Sequence, residues 1–393
     1  MTILFTNARK IDVDGEATGF WMLVDGDTIT ATGVVDPARA SGDPAGGTTH
    51  PPADVTIDLG GATLTPGLID LHTHGGGGHA FDDGADDLTA ALALHRRHGT
   101  TRSLVSLVAN PVPTLSRSLG LIRELMRDDP LVLGAHLEGP FLAPDRRGAH
   151  APHFLLAPES DTVDALLAAG EGIVRQVTIA PELPGGLDAV ERLVSAGAIA
   201  AVGHTEADYD LTRAAFDRGA TMVTHAFNAM NGIHHRDPGP LAAAVADDRV
   251  TIELILDGVH VHPAVAALLM RAAPGRVALI TDAMAAAGAT DGDYRIGELA
   301  VTVDAGVAML TGTTTIAGST LTQDRALRVA VEQAGVPIVD AVAALTVVPA
   351  RALGLGDRLG RLAPGSAADA VAWTDDWAVD RVWAAGAELP RGA

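Results

Sequence analysis

From Thr63 onward the chain alternates short apolar runs of strand character with Ala- and Leu-rich stretches of helical character. The strand-like runs are LTPGLIDLHTH, TRSLVSLV, LVLGAHLE, VRQVTIAPE, AIAAVGH, TMVTHAF, VTIELILDG and RVALITDA. Between them lie helices such as DLTAALALHRRHG, LSRSLGLIRELMRD, GLDAVERLVSAG and YDLTRAAFDRG. Nearly continuous apolar strands separated by helices indicate parallel strands covered on both faces. Eight such units predict an α/β fold, a closed (β/α)8 TIM barrel. The chain length of 393 residues accommodates one such barrel with a smaller companion.

The termini have a different texture. ILFTNARKI, FWMLVDGDTITATG and ADVTIDLGGATLT alternate as short strands, with turn signals at Asp14-Gly15 and Asp25-Gly26. The Gly-, Pro-, Ser- and Thr-rich stretch from Asp36 to Ala53 reads as a long surface loop. Past the eighth strand, ELAVTVDAGVAMLTG returns to β texture. Two helices follow in TQDRALRVAVEQAG and PIVDAVAALTVVPARALG, and the tail GSAADAVAWTDDWAVDRVWAAG alternates again. Pairing of the tail with the amino-terminal strands predicts a small β-sandwich built from residues 1–62 and 359–393, flanking a barrel over residues 63–358.

Charge narrows the partners. With 27 basic and 49 acidic residues the net charge is -22, a field that repels nucleic acid and anionic lipid. Aromatic residues, at 3%, are too few for a base-stacking platform. No apolar run reaches the roughly 18 residues of a membrane span, and MTILFTNARK lacks the order of a signal peptide, so a soluble cytoplasmic protein is expected. Cysteine is absent, which removes thiolate chemistry. The single lysine, Lys10, lies far from the barrel motifs, which argues against Schiff-base chemistry and a carbamylated-lysine metal bridge. The 15 histidines are then the main groups titrating near neutral pH.

Five of the eight strands end in a residue able to bind a metal, and barrel active sites form at the carboxyl ends of strands. His72 and His74, two apart at the end of the first strand, share one face. Glu138 ends the third strand after an apolar run and before a Gly-Pro turn, where an unpaired buried charge would be costly. His204 and His225 end the fifth and sixth strands, and Asp282 ends the eighth, where it could instead cap a following helix. Together these six form a nitrogen and oxygen donor set suited to zinc or iron. The chemistry they suggest is metal-assisted hydrolysis, with Glu138, His204 and His225 holding an ion and Asp282 moving the water proton to the leaving group. There is no G-X-S-X-G elbow and no Walker-type loop to compete.

The stretches PGLIDLHTHG, LEGPF, GAHAP, GHT, HAFNAMNGIHHRDPG, LILDGVHVHP, TDAM and AGSTLTQDRAL, in this order, resemble the amidohydrolase superfamily and, within it, the N-acetylglucosamine-6-phosphate deacetylases. The resemblance runs from about Asn7 to Trp383. It implies metal-dependent removal of the N-acetyl group of an amino-sugar 6-phosphate, in amino-sugar catabolism and cell-wall recycling. It also implies that Glu138, His204 and His225 hold the main metal and that Asp282 is the catalytic acid/base. His150, in GAHAP, would bond the acetyl carbonyl oxygen, and Asn228 and Ala229 would contact the phosphorylated end of the sugar. Arg236 and His260 would bind the phosphate, the arginine reaching the neighbouring subunit's site, which implies a homodimer. Members differ in keeping His-X-His, so one or two ions per subunit are compatible with this sequence. An N-acetylgalactosamine 6-phosphate deacetylase, another amidohydrolase acting on a different amide, and a catalytically silent sugar-phosphate-binding barrel are the competing readings.

Overall fold

The structure, a computed structural model, describes residues 1–35 and 50–390. Most of the loop expected over Asp36–Ala53 lies outside the described residues. The contacts divide the chain into two compact units. One comprises residues 1–69, 96–101 and 336–393, the other residues 70–95 and 102–335.

In the second unit and its first strand, eight strands form one parallel sheet in chain order: Leu68–Asp70, Thr100–Val108, Val132–Glu138, Val174–Ile179, Ile199–Val202, Met222–Val223, Thr251–Ile255 and Val277–Ile280. Every residue of the second and third of these is buried, as strands covered on both faces must be. The run LTPGLIDLHTH is split. Thr63–Pro66 pairs within the sheet of the terminal unit, and only Leu68–Asp70 enters the barrel. A Cβ on the intervening Gly67 would fall 2.2 Å from the Thr101 hydroxyl, so this close approach of strands demands glycine.

The ring closes through backbone contacts just beyond the first and eighth strands. Thr73 and Ala283 form a parallel bridge, Asp282 N–H donates to the His72 carbonyl (2.8 Å), and His74 N–H donates to the Ala283 carbonyl (2.7 Å). Beneath this seam the Asp70 carboxyl is fully buried and accepts from the Thr281 hydroxyl (2.6 Å) and the Thr281 and His72 amides. Burial pushes Asp70 up to about 7, against the opposing pull of those hydrogen bonds.

No helix follows Asp282. The chain instead forms a three-stranded antiparallel sheet, Gly292–Ile296, Leu299–Asp304 and Val307–Leu310, before the helix Gln323–Arg328. The helix-cap alternative for Asp282 is thereby removed. Val301, Val303 and Ala308 of this insertion pack with Ile296, Val108, Met284 and Ala317 in a core of their own.

The terminal unit holds an eight-stranded mixed sheet in which the tail strands Ala370–Trp373 and Val379–Ala384 join the amino-terminal strands through Thr63–Pro66. Thr2–Asp12 and Val379–Ala384 stand three strand positions apart, about 14 Å along a flat sheet. Yet the Phe5 and Trp383 ring centroids are 5.0 Å apart, and Thr28 bridges Ala367. The sheet therefore curls over one apolar core of Phe5, Phe20, Met22, Ile29, Leu64 and Trp383. The helix Ile338–Leu345 packs on the first strand, which places residues 336–358 with this unit. Lys10 is also here, paired with Asp12 at 2.9 Å.

Thr281→Val is expected to strip one hydrogen bond from the buried Asp70 while keeping the side-chain shape. The expected loss is about 1–3 kcal/mol, read as a lower denaturation midpoint. Unchanged stability would show that the Thr281 hydroxyl contributes nothing to the seam.

Candidate metal centre and active site

The strand ends converge. His72, His74, Glu138 and Asp282 offer donor atoms all within 4.8 Å of one another, and so do Glu138, His204 and His225, with every one of these residues buried. Glu138 belongs to both groups. Its Oε1 lies 3.0 Å from His204 Nε2, 3.0 Å from His225 Nε2 and 3.4 Å from His72 Nε2. Its Oε2 lies 3.1 Å from His74 Nε2 and 3.3 Å from His150 Nε2. Burial alone would raise the Glu138 pKa, but the imidazoles around it outweigh that effect and hold it well below the carboxylate range. Asp282 Oδ1 is 3.5 Å from His72 Nε2 and 3.4 Å from His74 Nε2. Burial opposes its ionisation too, yet these two rings hold it at about 2.

Ring orientation is set from outside the cluster. His204 Nδ1–H donates to the Arg146 carbonyl at 2.7 Å, so its Nε2 lone pair faces Glu138 and His225. His72 Nδ1 faces the Glu253 carboxylate at 3.4 Å, and Gln176 donates to the other Glu253 oxygen at 2.8 Å. The Nε2 atoms of His204 and His225 lie only 2.9 Å apart, and those of His72 and His74 3.0 Å apart. Lone pairs brought this close repel unless a proton or cation lies among them. The buried nitrogen and carboxylate donors therefore fit a divalent metal.

Backbone conformation contributes to the convergence. His204, His225 and Asp282 have φ of 47°, 27° and 49°, all left-handed, which turns each side chain over the strand end. Such conformations cost on the order of 1–3 kcal/mol each in a residue other than glycine.

A cavity of about 500 Å³ opens above these groups, lined in part by His150, Arg146, Asn228, Ala229 and His260. Ala109 N–H donates to His150 Nδ1 (3.2 Å), which leaves the proton of the neutral ring on Nε2. Burial lowers the His150 pKa despite the nearby Glu138. Burial also opposes charge on His260, but the Asp257 carboxylate, 2.7 Å from its Nδ1, raises its pKa on balance. The Asn228 amide donates to the His225 and Ala226 carbonyls (3.2 and 3.1 Å). Of the residues singled out in the sequence, His72 and His74 lie in the buried cluster without lining the cavity, and Arg236 lines neither. It is exposed and contacts the neighbouring His235 ring at 2.7 Å.

Three buried polar residues beside the cluster had readable signals that the sequence analysis did not use. His136 sits two before Glu138 on the same strand face and stacks edge-on to His72 at 4.5 Å. Its ring is held by Ser106 and Thr178, each at 2.9 Å, and burial keeps it neutral. Glu253 interrupts the apolar run VTIELILDG, and Gln176 lies within VRQVTIAPE. An interior carboxylate in an apolar strand requires a partner, here His72 and Gln176.

A parallel eight-stranded barrel whose strand ends gather histidine and carboxylate donors under a cavity defines a barrel protein with the donors for a divalent metal. The chain belongs to the amidohydrolase family, whose profile matches residues 63–389. It is 40% identical to an N-acetylgalactosamine-6-phosphate deacetylase of Escherichia coli O157:H7, over 82% of this chain and 86% of that protein. It is 35% identical to an N-acetylglucosamine-6-phosphate deacetylase of Vibrio furnissii, over 84% of each. Among solved structures, it resembles an aspartate-to-alanine mutant of N-acetyl-D-glucosamine-6-phosphate deacetylase from Mycobacterium smegmatis, in complex with N-acetyl-D-glucosamine-6-phosphate. The TM-score is 0.90 at 44% identity, covering 98% of this chain and 99% of that one. No helix among the described residues is long and apolar enough to cross a membrane.

The acidic cluster draws protons onto His72, well above its ordinary value, and onto His74, to about 9, although burial opposes both. A metal at these two rings must displace those protons, so its affinity is expected to rise with pH over the range in which they are lost. Metal retained after dialysis against a chelator across pH 6–10 measures this. Retention independent of pH would contradict it.

Proposed function

We propose that the chain hydrolyses the N-acetyl group of N-acetylglucosamine 6-phosphate, giving glucosamine 6-phosphate and acetate. The observation that carries this reading is the joint placement of the Glu138-centred donor cluster, Asp282 and His150 beneath a cavity that also presents His260. The match to phosphorylated amino-sugar deacetylases over most of the chain supports it.

In this reading Glu138, His204 and His225 hold the main divalent ion, zinc or iron, and His72 and His74 with Glu138 and Asp282 offer a second position. When bound, the metal lowers the pKa of water towards about 7 and polarises the acetyl carbonyl. Glu138 is the one residue common to both donor groups, and no barrel lysine would share that part. Asp282, ionised at neutral pH, accepts the proton of the attacking water and passes it to the departing sugar nitrogen. His150 presents Nε2–H to the carbonyl oxygen as negative charge develops there. Asn228 and Ala229 contact the phosphorylated end of the sugar, and His260, whose protonated form the Asp257 carboxylate favours, receives the phosphate. Arg236, turned away from its own cavity, acts in the neighbouring site of a homodimer. Local positive charge is needed there to admit an anion to a chain of net charge -22.

Acetate release from N-acetylglucosamine 6-phosphate by the metal-analysed protein tests the reading. The galactosamine epimer as a parallel substrate tests its nearest alternative. A larger kcat/KM for the epimer would transfer the assignment, and no acetate from either sugar would overturn it.

Asp282→Asn is expected to keep the main metal and lose about 10²–10⁴ in turnover, because the amide cannot take the water proton. Glu138→Gln is expected to lose metal and activity together. Metal content and acetate release, measured on the same samples, separate the two. Activity of Asp282→Asn within a few-fold of the parent would remove its role.

Arg236→Ala is expected to cost roughly 30-fold to several thousand-fold in kcat/KM on the phosphorylated sugar, with little effect on plain N-acetylglucosamine. Mixed dimers of Arg236→Ala and Asp282→Asn chains are expected to recover part of the activity. Equal losses on both sugars would refute the phosphate contact, and no recovery in verified mixed dimers would place the arginine in its own site.

A further inference from the structure

The cavity has one wall that the polar machinery does not use. Apart from small residues, its only apolar lining side chains among the described residues are Ile296 and Ile316. Both come from the segment inserted after the eighth strand. Ile296 closes the strand Gly292–Ile296, is 7% exposed, and packs in the core that includes Val108. That same core reaches His150 from two sides. Ala149, next to His150 in the chain, packs against it, and the residue after Val108, Ala109, supplies the amide that fixes His150 Nδ1.

A planar acetamide carbon has three substituents. In the reading proposed above, on which this inference rests, the oxygen faces His150 and the metal cluster. The nitrogen leads to the sugar, whose phosphate extends toward Asn228 and His260. The methyl, the one wholly apolar group of such a substrate, then points toward the remaining wall. We propose that Ile296 forms the acyl-binding wall and sets the length of acyl group the enzyme accepts. Because Ile296 is seated in the same core as Ala149 and Val108, the wall is held at a fixed distance from the hydrogen bond that positions the carbonyl. An added methylene meets a packed surface rather than a yielding loop. Ile316 is partly exposed and has no place in that core, so it is the weaker barrier.

The test compares kcat/KM for N-acetyl-, N-propionyl- and N-butyryl-glucosamine 6-phosphate in the metal-loaded parent protein, Ile296→Val, Ile296→Ala and Ile316→Ala. One methylene in an apolar pocket changes kcat/KM by about 10- to 200-fold, so the parent is expected to prefer acetyl over propionyl within that range. Ile296→Ala is expected to narrow the preference at least tenfold, chiefly by gaining activity on the longer acyl groups, and Ile296→Val to narrow it by a few-fold. The valine variant keeps the core filled if the alanine variant does not fold. An unchanged acetyl-to-propionyl ratio in a folded Ile296 variant that still releases acetate would overturn the proposal, as would a larger shift in Ile316→Ala. A parent protein that releases no acetate from the phosphorylated sugar would instead overturn the functional reading itself.

Discussion

A carboxylate buried at the end of an apolar strand must be compensated, and Glu138 is compensated by five imidazoles within 3.4 Å. Those rings come from the first, fifth and sixth strand ends and from the loop after the third strand. A single pair of oxygen atoms thus meets rings from four separate parts of the barrel. Removing the carboxylate would leave mutually repelling imidazoles, and removing the rings would leave an uncompensated charge. The outer partners of the rings, the Arg146 carbonyl and Glu253, extend the same requirement outward.

The barrel and its cluster of possible metal donors were legible because both are carried by residue type and short periodicity. Eight apolar runs define the strands, and a period of two places His72 and His74 together. His136, two before Glu138, obeys that same period and could have been found by it. The turn at each ligand was not legible, since His204, His225 and Asp282 adopt left-handed backbone without a glycine to announce it. Such a conformation persists only where the surrounding structure holds it. The split of LTPGLIDLHTH between two sheets was hidden for a related reason, because one apolar run suits either neighbour. The apolar wall at Ile296 depends on which surface the inserted sheet packs against, a long-range fact with no local pattern.

Division of labour follows from these origins. The clustered donors sit on strand ends, while much of the remaining cavity lining sits on loops and an inserted sheet. Loops tolerate replacement far better than the strands that carry them. The cavity's outer lining is thus open to change in a protein whose donor cluster is fixed by the barrel.

The seam between the first and eighth strands gives that cluster an unusual durability. The amides of Asp282 and His74 are themselves bonds of the closing ladder, donating to the His72 and Ala283 carbonyls. Sites on surface loops fray in local fluctuations far smaller than global unfolding, whereas these amides are held in the hydrogen bonds that close the ring. Retention of the ligand geometry and survival of the barrel are, at this seam, one cooperative event.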